Sequence, residues 1–159
     1  MRARPSGART YFVVGRVEDL DLPAGSVDRA YVFELIEHLS LEEAKSALSR
    51  LRTLLRPGGE ILVTTPNYRG PWTLVEWLAD RSGLVAPMAG HQHVTRFSRR
   101  LLRQTLADSG FEVERVTTFS TFAPFVSVFG WKLAERTAAQ EQRLALPFGN
   151  LIAAVGRRP

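Results

Sequence analysis

The chain has no cysteine. Disulfide frameworks, thiolate metal sites and a cysteine nucleophile are therefore excluded. The absence is compatible with the cytoplasm, which is the expected location. Lysine is scarce as well: 19 of the 21 basic residues are Arg. No apolar run approaches the roughly 20 residues needed to span a bilayer. The opening MRARPSGART is basic but leads into no apolar stretch, so no signal peptide is expected. Internal repeats, low-complexity tracts and a linker that would split the chain are also missing.

What is present is globular in kind. The 159 residues, 45% apolar and 23% charged, make one domain and not a disordered, collagen-like or coiled-coil chain. A chain of this size buries roughly 68–70% of its unfolded surface, which allows one core. The net charge of +5 would suit nucleic acid. The bias to Arg over Lys reads instead as genome composition, and nucleic acid is not the expected partner.

Residues 1–9 read as a flexible basic tail, followed by a single domain over 10–159. Thr10–Val14 (TYFVV) is β-branched and aromatic and predicts a strand. Asp28–Phe33 predicts a second. Ser40-x-x-Glu43 is a capping box, and Leu41, Ala44, Leu48, Leu51 and Leu55 make one apolar helical face, stopped by Pro57-Gly58-Gly59. Glu60–Thr65 is a third strand. Strand, helix, strand with short connections is a βαβ unit with parallel strands. Further helices are expected over Pro71–Asp80, Arg99–Ser109 and Phe125–Leu144, with Phe129, Leu133 and Arg136 sharing a side of the last. Gly83–Thr95 reads as a loop, and Phe111–Thr118 and Leu151–Gly156 as strands. The alternation predicts an α/β fold, with helices on both faces of a mostly parallel sheet.

In such sheets ligands bind beyond the carboxyl ends of the strands. One strand runs out into Glu34, Glu37 and His38, the next into Asn67 and Tyr68. Topology thus brings carboxylates, an imidazole, an amide and a phenol to one edge.

These residues carry a resemblance. Glu18-Asp19-Leu20, Gly25-Ser26-Val27-Asp28, Glu34 to His38, and Leu55-Arg56-Pro57-Gly58-Gly59 follow, in order and spacing, the second half of a class I S-adenosylmethionine-dependent methyltransferase domain. The likeness is to the small-molecule, methyltransferase type 11 or ubiquinone-biosynthesis-like kind. HQHVTRFSRRLLRQTLADSGFEV resembles a later segment of the same family, so the likeness runs from about Thr10 to Arg157. It implies an incomplete Rossmann-like sheet with an antiparallel last strand. It also implies S-adenosylmethionine as cofactor, contacted by Val17, Glu18, Asp19, Phe33 and Glu34. Catalytic roles fall to His38 and Glu34, and acceptor contacts to Glu37, Asn67, Tyr68, His91 and His93. No metal is implied.

Two departures stand out. The family's first strand is followed by a G-x-G-x-G loop, and no such loop occurs here. Where the family has G-D-A, this chain reads Gly15-Arg16-Val17, and arginine cannot accept the adenine amino group. Asp19 is a substitute three residues out of place. The half that binds methionine and ribose is therefore expected to be missing, and activity of this chain alone weak or absent. Its loss leaves one edge of the Asp28–Phe33 strand unpaired. Three outcomes are open: the chain is part of a longer product, it pairs with itself or a complementing chain, or the Thr10–Val14 strand covers that edge.

Plainer readings compete. Glu37 and His38 could simply hold a loop. His38, His91 and His93 could form a three-histidine metal set, but no acid close in sequence supports it, and an acceptor-side loop is the reading taken. Arg96, Arg99, Arg100 and Arg103 form a stripe that could hold an anion or nucleic acid; a solvated helix face is the simpler account. Trp72, Trp77, Phe97, Phe122 and Phe125 could line an acceptor pocket, yet aromatics at such spacings more often fill a core.

Overall fold

The computed structural model describes residues 10–71, 81, 93–144 and 148–159. The expected tail over 1–9, most of the Pro71–Asp80 helix, both Trp72 and Trp77, and His91 lie outside the described residues.

Four strands form one sheet: β1 (Val27–Phe33), β2 (Leu55–Pro66), β3 (Glu112–Phe119) and β4 (Leu151–Arg157), in the order β1-β2-β4-β3. β1 and β2 run parallel, as the βαβ pattern predicts, and β4 runs antiparallel to both its neighbours. Between β1 and β2 lies helix α1 (Leu41–Leu54). Ser40 caps it: Glu43 N–H donates to the Ser40 hydroxyl at 3.3 Å, and Ser40 N–H donates to the Glu43 carboxylate at 3.0 Å. Helix α2 (Arg99–Asp108) starts at Ser98, whose hydroxyl accepts from Leu101 N–H, and ends before Gly110 at φ +84°.

The core follows from strand alternation. Val32, Ile61, Val63, Ile152 and Ala154 point to one face and meet Ala44 and Leu48 of α1 and Leu102 and Leu106 of α2. Phe97, fully buried, belongs to this core, so its aromatic ring is structural. Arg29, Tyr31 and Phe33 alternate to the opposite face and are exposed. Among the described residues, nothing pairs with the outer edge of β1.

Three expectations need correction. Thr10–Val14 forms no strand; it is unpaired and exposed, with Phe12 93% accessible. β-propensity does not make a strand without a ladder partner, and this segment neither finds one nor covers β1. Secondly, β2 begins at Leu55, not Glu60. The Pro57-Gly58-Gly59 segment is carried as an irregularity: Val27 aligns with Leu55 but Arg29 aligns with Glu60. Gly58 at φ +74° makes the bend, and Gly58 N–H donates to Arg158 O at 2.8 Å while Arg158 N–H donates to Gly59 O at 2.9 Å. A side chain at Gly59 would meet Arg56 O at 2.8 Å, so the close approach needs glycine there too.

Thirdly, Phe125–Leu144 is not one helix. A short α3 (Ala123–Val126) passes through a tight turn, Ser127–Phe129, to Gly130 at φ +130°, and α4 (Trp131–Leu144) follows. The expected side of Phe129, Leu133 and Arg136 is exposed; Ala134 and Glu141 are buried instead. The Glu141 carboxylate accepts Thr121 N–H at 2.8 Å and Ala123 N–H at 3.0 Å, and also Phe122 N–H. A buried acid thereby satisfies the orphan donors at the start of α3. Phe122 is half exposed, outside any closed aromatic pocket.

Candidate functional site

β1 leaves the sheet at Phe33. Glu34 then turns the chain with φ +47°, a left-handed conformation uncommon for a residue with a side chain. The turn is held twice by Thr64 on β2: Glu34 N–H donates to Thr64 O at 3.1 Å, and the Thr64 hydroxyl donates to Glu34 Oε1 at 2.7 Å. Such strain at a strand exit is a common mark of a working site. A tight helical turn, Ile36–His38, follows and buries Ile36 and Glu37.

Glu37 is the centre of the arrangement. Its side chain is 1% exposed and its Oε2 accepts from the Thr65 hydroxyl at 3.1 Å. Its carbonyl accepts Val94 N–H at 2.8 Å and Thr95 N–H at 3.0 Å, and the Thr95 hydroxyl donates to Leu39 O at 2.7 Å. These bonds staple residues 94–95 to the turn. His93 is thereby brought to His38, with ring centroids 5.0 Å apart. His93 Nδ1 and the Tyr68 hydroxyl are hydrogen-bonded, and His38 Nε2 lies 3.9 Å from Glu37 Oε1. Arg96 sits over the Tyr68 ring, 5.7 Å from its centroid, a cation–π distance.

Burial pushes the Glu37 carboxyl above the ordinary carboxylate range, and the nearby Glu34 charge adds to it; the Thr65 hydrogen bond and His38 pull the other way. A carboxyl held up by burial beside a solvent-reaching imidazole marks this cluster as a candidate site.

Glu37, Tyr68 and His93, expected as acceptor contacts, and His38, expected as catalytic, therefore come together. Glu34 stands at their edge on the β1 exit. Asn67 is different: its amide donates to Gly149 O at 2.7 Å and its side-chain oxygen accepts Arg69 N–H at 3.1 Å, so it builds the loop that presents Tyr68. Sequence reasoning passed over Thr64, Thr65 and the 94–95 backbone. The two threonines had a signal, since they end the strand that runs out into Asn67 and Tyr68. Glu37 was expected at this edge as an acceptor contact, not as a partner of the histidines around a metal. Glu37, His38 and His93 each offer one ligand atom, all within 4.8 Å of one another, and are the described residues that could hold a metal ion.

The cofactor-side residues divide. Val17 and Glu18 lie in a short helical turn (Val17–Asp19) and line a hollow of about 330 Å3 with Gly15, Leu35, Leu39 and Ala47. Asp19 is exposed and outside that lining, and Phe33 is exposed on β1. The hollow opens beside the β1 exit. Leu35, Leu39 and Ala47 suit the face of a base and Glu18 offers an acceptor, although Arg16 and Glu43 also line the hollow and Arg16 meets Glu18 at 3.6 Å. The residues thus fit the nucleoside part of S-adenosylmethionine. Its charged methionine end finds no glycine-backbone cradle among the described residues: the left-handed glycines Gly25, Gly58, Gly110 and Gly130 are not in a turn from strand to helix at this edge.

A mixed sheet with the site at the carboxyl ends of its parallel strands is that of the Rossmann-like class. The chain belongs to the methyltransferase-domain family, whose pattern residues 4–116 match. It is 33% identical over 100 residues to a Mycolicibacterium smegmatis protein named "Probable S-adenosylmethionine-dependent methyltransferase", a stretch covering 63% of this chain and 34% of that one. The chain thus spans about a third of the length of the curated relative it matches. Among solved structures it is similar to a Haloferax volcanii methyltransferase in complex with the Trm112 methyltransferase activator: TM-score 0.59, 22% identity, covering 93% of this chain and 60% of the other. A methyltransferase of Methanosarcina mazei superposes with TM-score 0.63 at 14% identity, covering 98% and 70%. By this kinship S-adenosylmethionine is the family's cofactor. Among the described residues, no helix is long and apolar enough to cross a membrane.

Proposed function

We propose that the chain is the acceptor-side part of an S-adenosylmethionine-dependent methyltransferase acting on a small molecule, and that by itself it transfers methyl groups weakly or not at all. The observation that carries this reading is the meeting of His38, His93, Tyr68 and buried Glu37 at one sheet edge, next to the hollow lined by Val17 and Glu18.

When bound, S-adenosylmethionine supplies an electrophilic methyl group. The chain's residues do the rest. Val17 and Glu18 would hold the cofactor's nucleoside side, with Glu34 next to it at the β1 exit. His38, exposed on its outer side, takes the proton that an acceptor O–H, N–H or C–H loses as its bond to the methyl carbon forms. Glu37 steadies the resulting imidazolium through space. Tyr68 and His93 orient the acceptor by hydrogen bonds, and no metal is assigned a role. Alignment and exclusion of water account for much of such catalysis, so a chain without the glycine loop keeps little of it.

The test is calorimetric titration of the purified chain with S-adenosylhomocysteine. Absent or millimolar binding is the expected result. Micromolar binding by the isolated chain would overturn the expectation of weak activity.

A second reading has its own observation. The outer edge of β1 is unpaired among the described residues, and Tyr31 and Phe33 beside it are each 58% exposed. This supports a non-catalytic module that joins itself or a complete enzyme through that edge. The similarity to a methyltransferase held by an activator protein is in keeping with a protein partner. Light scattering decides: a stable dimer or hetero-complex whose melting ignores the cofactor favours the module, and a monodisperse monomer counts against it.

A further inference from the structure

A cavity of about 420 Å3 is lined by the two residues that flank Tyr68 in the chain and by the start of α2. Asn67 and Arg69 line it from the β2 exit, Ser98, Arg99, Arg100 and Arg103 from the start of α2. Its volume is in the range of small-molecule pockets, roughly 300–1,000 Å3. Four arginines from two elements line it, and no carboxylate is among its described lining residues.

The contrast with the other arginine-rich hollow is informative. There Arg29, Arg56 and Arg157 line a cavity with Asp28 and Glu60, and all three are paired: Arg29 with Glu60 at 3.1 Å, Arg56 with Asp28 at 2.6 Å, Arg157 with Glu114 at 2.6 Å. That hollow is internally neutralised. Among the described residues, no ion pair involves Arg69, Arg99, Arg100 or Arg103. Their forks of N–H donors are free to take a ligand.

The placement is also unfavourable for the helix. Arg99 and Arg100 occupy the first turn of α2, which contains no acid. Cations there oppose the helix dipole, and Arg99–Arg103 and Arg100–Arg103 are like-charge pairs at repulsive spacings. The apolar anchoring of α2 needs none of these arginines, since Leu102 and Leu106 supply it. A charge cluster that opposes the helix dipole and pairs with no acid among the described residues is suited to an anion-binding site.

We propose that this cavity is an anion subsite that takes the phosphate or diphosphate group of a small molecule. Arg99 and Arg103 clamp it from one helix face, and Arg69 closes from the strand exit. Tyr68 lies between two lining residues and carries Arg96 over its ring, so the bound group sits beside the Tyr68–His93 pair. Resting on the methyl-transfer reading, the inference further identifies the acceptor as a phosphorylated compound; the subsite itself stands without that reading.

The experiment is titration of the full chain with inorganic pyrophosphate at fixed ionic strength. Saturable one-to-one binding is expected, weakened at least tenfold in Arg99→Ala/Arg103→Ala and unchanged in Arg136→Ala/Arg143→Ala, whose arginines are exposed on α4. Arg99→Glu gives a second readout: it should abolish binding while raising the ligand-free melting temperature by about 1–3 °C, by relieving the dipole conflict. Unsaturable binding, or equal loss in the α4 control, overturns the proposal. So does tighter binding of a single-stranded RNA with steep salt dependence through the same arginines, which would make this a nucleic-acid face. S-adenosylhomocysteine is titrated in parallel. Pyrophosphate binding in a chain that methylates nothing even when a complementing half is supplied sinks the methyl-transfer reading alone; methylation without pyrophosphate binding sinks the subsite alone.

Discussion

Thr65 and Glu37 meet where neither can reach water: the Thr65 hydroxyl donates to Glu37 Oε2 at 3.1 Å, with both residues buried. This contact ties the end of β2 to the turn after β1. Through the Glu37 carbonyl it also ties in residues 94–95. Two strand exits and a distant segment are thereby held as one unit, and the first prediction concerns its charge.

Because burial raises the Glu37 carboxyl, the folded chain binds more protons than the unfolded chain between the ordinary carboxylate value and the raised one. Stability therefore falls as pH rises through that window. Glu37→Gln keeps the shape and removes the titration, so its melting temperature should be flatter with pH and higher than wild type at neutral pH. Parallel melts from pH 4 to 8 check this. A wild-type profile that rises through the window would contradict the account. Thr65→Val should lower stability by about 1–3 kcal/mol, since it leaves a buried carboxyl without its donor.

The α1 cap predicts a local loss. Ser40→Ala removes the hydroxyl acceptor for Glu43 N–H and should cost about 1 kcal/mol, read by urea midpoint with unchanged slope. The Ser40 hydrogen bonds hold the Glu43 carboxyl below its ordinary value. The stabilisation is thus present above the ordinary carboxylate range and lost as pH falls through the lowered value. The gap between Ser40→Ala and wild type should narrow in acid.

Glu141 accepts three backbone N–H groups at the start of α3 from fourteen-residue α4. Hydrogen bonds to charged groups contribute roughly 1.5–3 kcal/mol each, so Glu141→Ala should lower stability by about 3 kcal/mol or more. Amide exchange at Thr121 and Ala123 should accelerate with it. Protection that survives the substitution would show that α3 is held by other means.

His38 and Tyr68 should separate kinetically once methyl transfer is detectable, for instance with a complementing half supplied. His38→Ala should lower kcat roughly 10^2–10^4-fold if it takes the acceptor's proton. Tyr68→Phe frees His93 and should act mainly on KM. Equal small effects from both would return the cluster to a loop-holding role.

The unpaired β1 edge makes the last prediction. Tyr31→Lys and Phe33→Lys place charges beside it and should shift any concentration-dependent association toward monomer in sedimentation. Association indifferent to both changes would place the contact elsewhere.

Local chemistry was readable without the structure wherever it acts over a few residues. The Ser40–Glu43 box, the helix expected over Arg99–Ser109 and the strand expected over Leu151–Gly156 depend on neighbours along the chain, and α1, α2 and β4 appear where the residues put them. The ordered motifs from Glu18 to Gly59 likewise sufficed for the family, and the strand order sufficed for the edge at which Glu34, Glu37, His38 and Tyr68 gather. Tertiary structure decided what depends on a partner. Thr10–Val14 has strand residues but no ladder to join, Phe125–Leu144 has helical periodicity but breaks at Gly130, and Glu141 is buried because three N–H groups need it. The joining of His93 to His38, and the gathering of Arg69 with the α2 arginines around one cavity, were settled the same way. Periodicity and capping are near-neighbour physics, written in order along the chain; pairing, burial and charge balance are set by what folding brings alongside.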